Sequence, residues 1–117
     1  MNKELEGDEF FKTADGKKLH YRSWACDRAK AVFLVVHGLG EHIGRYEDVS
    51  AALMARGYSV CGFDLRGHGL SEGKRGDIED FSLFVSDIRD FYEFVKSFSA
   101  EKIFILGHSF GGLLALL

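Results

Sequence analysis

The 117-residue chain is 46% hydrophobic and 28% charged, which is enough apolar content for a buried core and enough length for one domain. A disordered tail and a pair of ordinary-sized domains are thereby excluded. The 15 basic and 18 acidic side chains leave a net charge of −3 with no basic stripe, which argues against nucleic acid as a partner.

Eleven Phe and 14 Gly occur with no Pro, so the turns must rest on glycine rather than on proline. Cys26 and Cys61 match no paired metal spacing and make no disulfide framework. The start, MNKELEGDEFFKTADG, lacks the apolar stretch of a secretory leader. No run approaches the roughly 18 apolar residues of a membrane span, so a soluble cytoplasmic protein is expected.

In chain order, EFFKT and KLHYRSW (within 9–25) flank an Asp15-Gly16 turn and predict a β-hairpin. AVFLVV (31–36) is a continuous apolar run, the pattern of a strand covered on both faces. A helix is predicted from about Arg45 to Arg56, with Tyr46, Val49 and Leu53 on one face and Gly57 as its stop. YSVCGF (58–63) reads as a second buried strand, followed by the loop DLRGHGLSEGKRGD. From Phe81 to Phe98 the residues Phe84, Val85, Ile88, Phe91, Tyr92 and Val95 keep helical spacing behind Asp80, a suitable N-cap. KIFIL (102–106) predicts a third buried strand, which runs into a new apolar helix. A hairpin followed by alternating strands and helices predicts an α/β architecture with a parallel sheet.

Three motifs sit at the ends of these strands. Gly107-His108-Ser109-Phe110-Gly111 matches G-x-S-x-G between a strand and a helix, the setting that holds a reactive Ser hydroxyl clear of the sheet. A Cβ at Gly107 or Gly111 would crowd that turn. His37-Gly38-Leu39-Gly40-Glu41-His42 follows the first buried strand, where a Gly-rich loop can aim a backbone N–H at a developing oxyanion. The N–H groups of Leu39 and Phe110 are the candidates. In Asp64-Leu65-Arg66-Gly67-His68-Gly69-Leu70-Ser71, no Gly-Lys-Ser/Thr follows, so a phosphate loop is disfavoured. A structural role is expected there, with Asp64 pairing Arg66 and Ser71 capping locally. A metal site built from His37, His42, Asp64 and His68 is disfavoured by spacing.

HGLGEHIGRYEDVSAAL, FDLRGHGLSEG and ILGHSFGG together resemble the monoacylglycerol lipase and lysophospholipase branch of the α/β-hydrolase superfamily. The resemblance covers residues from about 10 to 117, and HGxGEHxxRY is its most specific part. It implies the N-terminal half of an α/β-hydrolase fold: a β-hairpin plus parallel strands with helices on both faces. It further implies Ser109 as nucleophile, Leu39 and Phe110 as oxyanion donors, and His37, Gly38, Gly107 and Gly111 as structural support. The implied reaction is hydrolysis of a monoacylglycerol or lysophospholipid ester, with no cofactor, no metal and at most transient contact with a lipid surface.

In this fold the triad runs Ser, then Asp or Glu, then His, and after Ser109 the sequence holds neither acid nor His. His108 leaves the strand on the opposite face from Ser109. His37 is the nearest alternative base, although a loop His that fixes its own backbone is the commoner case. His20, His42 and His68 have no geometry arguing for them. The expectation is therefore that residues 1–117 form the N-terminal part of one domain, with the triad Asp and His, further strands and the lid elsewhere. The competing readings are an inert or non-catalytic module of this fold, or the same Ser acting as peptidase, thioesterase or perhydrolase.

Overall fold

The computed structural model describes residues 3–4, 9–75 and 80–116. Residues 1–2, 5–8, 76–79 and 117, among them the last part of the 64–77 loop, lie outside the described residues. Strands β1 (Lys3–Glu4), β2 (Glu9–Lys12), β3 (Lys18–Ala25) and β4 (Val32–Val36) come first. A 3-10 turn (Ile43–Tyr46), helix α1 (Glu47–Ala55) and β5 (Ser59–Phe63) follow. Helix α2 (Phe81–Lys96), β6 (Ile103–Gly107) and α3 (Phe110–Leu116) complete the order. Every predicted element is present. The two-residue β1, which pairs Glu4 with Trp24, is too short to leave a pattern in the sequence.

The strands form one mixed sheet in the order β1-β3-β5-β4-β6, with β2 also on β3. The β2–β3 hairpin is antiparallel and closes where Lys12 meets Lys18, with Gly16 at φ +88 in its turn. β3 runs antiparallel to β5, whereas β4 lies parallel to both β5 and β6. The chain leaves β4 for β5 on one side and reaches β6 on the other. The order therefore reverses at β4, and the loops after β4 and β6 face each other beyond the carboxyl ends of the strands. In open α/β sheets this reversal opens the crevice where ligands sit.

Alternation along the central strands sends side chains to two cores. Leu34, Val36, Cys61 and Phe63 pack beneath Phe84, Ile88, Phe91 and Val95 of α2 and Leu114 of α3. On the opposite face Val35 and Val60 pack with Trp24 and Ile43 against Leu53 and Met54 of α1. Helices thus cover both faces, as expected. The Phe content is spent largely in the first core, where the Phe11 ring lies 5.6 Å from Phe63 and 5.0 Å from Phe91. Helix α2 begins where predicted, with the Asp80 carboxylate accepting from the Ser82 N–H at 3.0 Å. Trimming one methyl from its buried face by Ile88→Val is expected to cost about 1 kcal/mol, read as a shift in the urea midpoint at constant slope.

Two expectations are corrected. KIFIL is not covered on both faces: Phe104, Ile105 and Leu106 are 50%, 43% and 38% exposed. The reason is position, because β4 is the strand partner of β6 among the described residues and β6 lies at the sheet edge. Asp64 does not pair with Arg66. Gly67 (φ +75) and Gly69 (φ +50) turn the chain sharply, and the two side chains reach different partners. Arg66 makes paired hydrogen bonds to Asp87 on α2 (2.9 and 2.8 Å) and to Asp15 in the hairpin turn (2.9 and 3.0 Å). The buried Asp64 carboxylate accepts from the N–H groups of Ile43 (2.7 Å) and Leu70 (3.0 Å) and meets His20 Nδ1 at 2.7 Å. Ser71 does cap locally, donating to the Asp64 carbonyl at 2.5 Å and accepting the His20 N–H at 2.9 Å. Among the described residues, no helix is long and apolar enough to cross a membrane.

Candidate active site

Ser109 stands between the end of β6 and the start of α3, exposed, with φ +57. A non-glycine residue in the left-handed region costs of order 1–3 kcal/mol and persists only where its surroundings enforce it. Those surroundings are backbone. A Cβ on Gly107 would come 2.6 Å from Gly112 Cα and 2.7 Å from the Gly111 carbonyl oxygen. One on Gly111 would collide with the carbonyl oxygens of Val36 and His37. The turn is pinned by the His108 N–H to the Val36 carbonyl (3.1 Å) and the Gly111 N–H to the His108 carbonyl (2.9 Å). Both glycines of the motif are therefore required by close approach of the β4 loop and the first turn of α3. Phe110 anchors that turn, its ring 5.7 Å from Phe84 and 5.8 Å from Phe81.

The loop after β4 closes as a β-turn. The Glu41 N–H donates to the Gly38 carbonyl at 3.1 Å, and Gly40 takes φ +78 at the third position. Leu39 at the second position is half exposed. Among the described residues, neither the Leu39 N–H nor the Phe110 N–H has a hydrogen-bond acceptor. The loop leans on the Ser turn, since a Cβ on Gly38 would lie 3.2 Å from the His108 carbonyl oxygen. The two motifs are thus neighbours in space as well as in chain logic.

His37 is fully buried. Its Nδ1 lies 2.7 Å from the Gly38 carbonyl oxygen, so it donates there, and its Nε2 accepts the Leu65 N–H at 2.9 Å. Burial, the largest influence, holds its pKa below the ordinary histidine value. A neutral ring with both nitrogens engaged fixes loops and has no free lone pair for a proton. His20 is committed to Asp64, and His68 Nδ1 lies 3.0 Å from the Arg66 carbonyl oxygen. His108 is exposed, with Nδ1 3.4 Å from Glu41 Oε1.

The fold places Glu41, which no local pattern in the string singles out as a site residue, between the two motifs. Its Oε1 accepts from the Gly38 N–H and the Tyr46 hydroxyl, each at 2.8 Å. The string does carry a signal for the turn: an acid three residues beyond a turn-opening Gly can return its carboxylate to that Gly's N–H.

Residues 27–117 match the family described as Serine aminopeptidase, S33. The chain is 42% identical to human monoglyceride lipase over 106 residues, covering 89% of this chain and 35% of that protein. It is 34% identical to Phospholipase YtpA of Bacillus subtilis, covering 80% of this chain and 36% of that one. An α/β-hydrolase of Penicillium, GrgF, superposes with a TM-score of 0.85 at 24% identity, over 96% of this chain and 40% of the other, a likeness of fold alone. The chain spans about a third of the length of the curated relatives it matches. With a mixed sheet that reverses at β4 and a serine in the left-handed region between strand and helix, it belongs to the monoacylglycerol lipase branch of the α/β-hydrolase superfamily.

Proposed function

We propose that Ser109 is the nucleophile of a carboxylic ester hydrolase acting on monoacylglycerol or lysophospholipid esters in the cytoplasm. The observation that carries this reading is the exposed Ser109 at φ +57, hemmed in by Gly107 and Gly111. Its Oγ attacks the ester carbonyl carbon, and the oxygen that gains the negative charge is received by the N–H groups of Leu39 and Phe110. Collapse expels the alcohol and leaves the acyl group on Ser109 Oγ; water then releases the fatty acid and restores the hydroxyl. The lipase and phospholipase names of the relatives support an acyl-lipid substrate. The half-exposed Leu39 on the loop after β4 suits transient contact with a lipid surface.

The base that takes the Ser109 proton, and the acid that orients it, are supplied by residues beyond these 117, along with the further strands and the lid. His37, Gly38, Gly107 and Gly111 hold the loops rather than move protons. Labelling of the full-length protein with a fluorophosphonate is expected to add one phosphonyl group on Ser109, detected by mass, and none to Ser109→Ala. A folded, full-length protein that never reacts at Ser109 sinks the reading. Turnover of a p-nitrophenyl ester by residues 1–117 alone would instead place the base within this chain. The peptidase alternative is separated by comparing ester with peptide p-nitroanilide substrates.

A further inference from the structure

We propose that Glu41 is a positioning residue that sets the direction of the Leu39 N–H and couples its loop to the Ser109 turn, an inference that rests on the ester-hydrolase reading above. A trans peptide is planar, so its N–H points opposite to its carbonyl. The peptide joining Gly38 to Leu39 has its carbonyl oxygen held from two sides, by His37 Nδ1 at 2.7 Å and by the Glu41 N–H at 3.1 Å. Holding that oxygen aims the Leu39 N–H away from it, out of the turn. The preceding peptide is held as well, because the Gly38 N–H donates to Glu41 Oε1 at 2.8 Å. Gly38, which alone would be the most pliable residue in the loop, is thereby pinned on both sides by one residue.

The carboxylate is itself anchored. The Tyr46 hydroxyl, on the 3-10 turn ahead of α1, donates to the same Oε1 at 2.8 Å. His108 Nδ1, one residue before Ser109, stands 3.4 Å away. The Gly38 N–H is the first cause holding the Glu41 carboxyl below the usual carboxylate range, so the anionic acceptor is present at neutral pH. Glu41 therefore links three segments: the loop bearing one candidate oxyanion donor, the turn bearing the candidate nucleophile, and the entry to α1. Loss of the carboxylate releases the Gly38 N–H and leaves the Gly38–Leu39 peptide held through its carbonyl oxygen alone, so the Leu39 N–H can drift from where charge develops. Misplacing a reacting or stabilising group by about 1 Å costs on the order of 100-fold.

The test uses the full-length protein, a monoacylglycerol substrate and the fluorophosphonate probe. Glu41→Ala is expected to lower kcat by roughly 10- to 100-fold with KM within about twofold, because the lost interaction matters only once charge develops. Glu41→Gln keeps an oxygen for the Gly38 N–H and is expected to recover most of that loss. Tyr46→Phe removes one anchor of the carboxylate and is expected to lower kcat by about threefold. A Glu41→Ala protein with parental kcat, or one whose defect lies in KM alone, overturns the inference while leaving Ser109 labelling intact. If Glu41→Ala does not fold, Tyr46→Phe decides, and a Tyr46→Phe protein at parental kcat overturns the inference equally. A parent silent toward the probe removes the ester-hydrolase reading and this inference with it.

Discussion

Replacing Ser109 by Gly is expected to abolish fluorophosphonate labelling and, in the same protein, to raise stability by about 1 kcal/mol. The first effect follows from the proposed chemistry: without Oγ no bond to phosphorus or acyl carbon forms. Loss of a nucleophile of this kind costs on the order of 10⁴-fold or more in turnover. The second follows from the backbone, since φ +57 is unfavourable for a residue with a Cβ and nearly free for glycine. Ser109→Ala separates the two effects, because it loses reactivity while keeping the Cβ and hence the strain. Urea unfolding of the three proteins gives the comparison. A Ser109→Gly protein less stable than Ser109→Ala would show that the left-handed turn is not a store of strain. The expected pattern is one in which the most reactive residue is also a destabilising one, held in place by Gly107 and Gly111.

Removing the Arg66 guanidinium is expected to cost about 3 kcal/mol at neutral pH and less in acid. Asp87 lies on the buried side of α2, 1% exposed, and both its oxygens receive Arg66 N–H groups. Arg66→Met fills the same space with an apolar chain but leaves that carboxylate buried without a cation. Burial already raises the Asp87 carboxyl above its ordinary value, with the hydrogen bonds and charge of Arg66 opposing the rise. A carboxyl whose folded value lies above its unfolded value favours folding at low pH and loses that contribution as pH rises through the folded value. Without Arg66 the folded value climbs further. The deficit of Arg66→Met relative to the parent should therefore widen from pH 4 to pH 7, and a deficit that narrows instead would contradict it. Asp15, the other partner, is held down at about 2, chiefly by its hydrogen bonds from Arg66. Its side chain is half exposed, so Asp15→Asn should change stability by no more than about 1 kcal/mol.

These two expectations differ in how visible they were in the amino-acid string. The Ser109 turn was legible because every part of it is local: a β-run, glycines two residues either side of a serine, then an apolar helix. Likewise Asp80 announced the start of α2 by standing directly before its apolar spacing, and Gly16 marked the hairpin turn. The Arg66–Asp87 pair was not legible. Arg66 sits two residues from Asp64, and proximity in sequence made that acid the natural partner. Tight turns at Gly67 and Gly69 set the two side chains apart, and α2 delivered a carboxylate from 21 positions further along.

The amino-acid sequence by itself determined the elements, the α/β class, the place of the candidate nucleophile and the two loops able to serve it. Those features depend on periodicities of two and 3.6 residues and on glycine's access to positive φ, all of which act over a few neighbouring positions. The tertiary structure alone decided which distant groups meet. Reversal of strand order at β4 brings the Gly38 loop against the His108–Ser109 turn, turns Glu41 into a link between them, and fills both ring nitrogens of His37. Among the described residues it also places the apolar run of β6 at the sheet edge, where the string alone read as a buried strand. The physical reason is the same throughout: local pattern sets what a segment is, whereas the order of strands in the sheet sets what it touches.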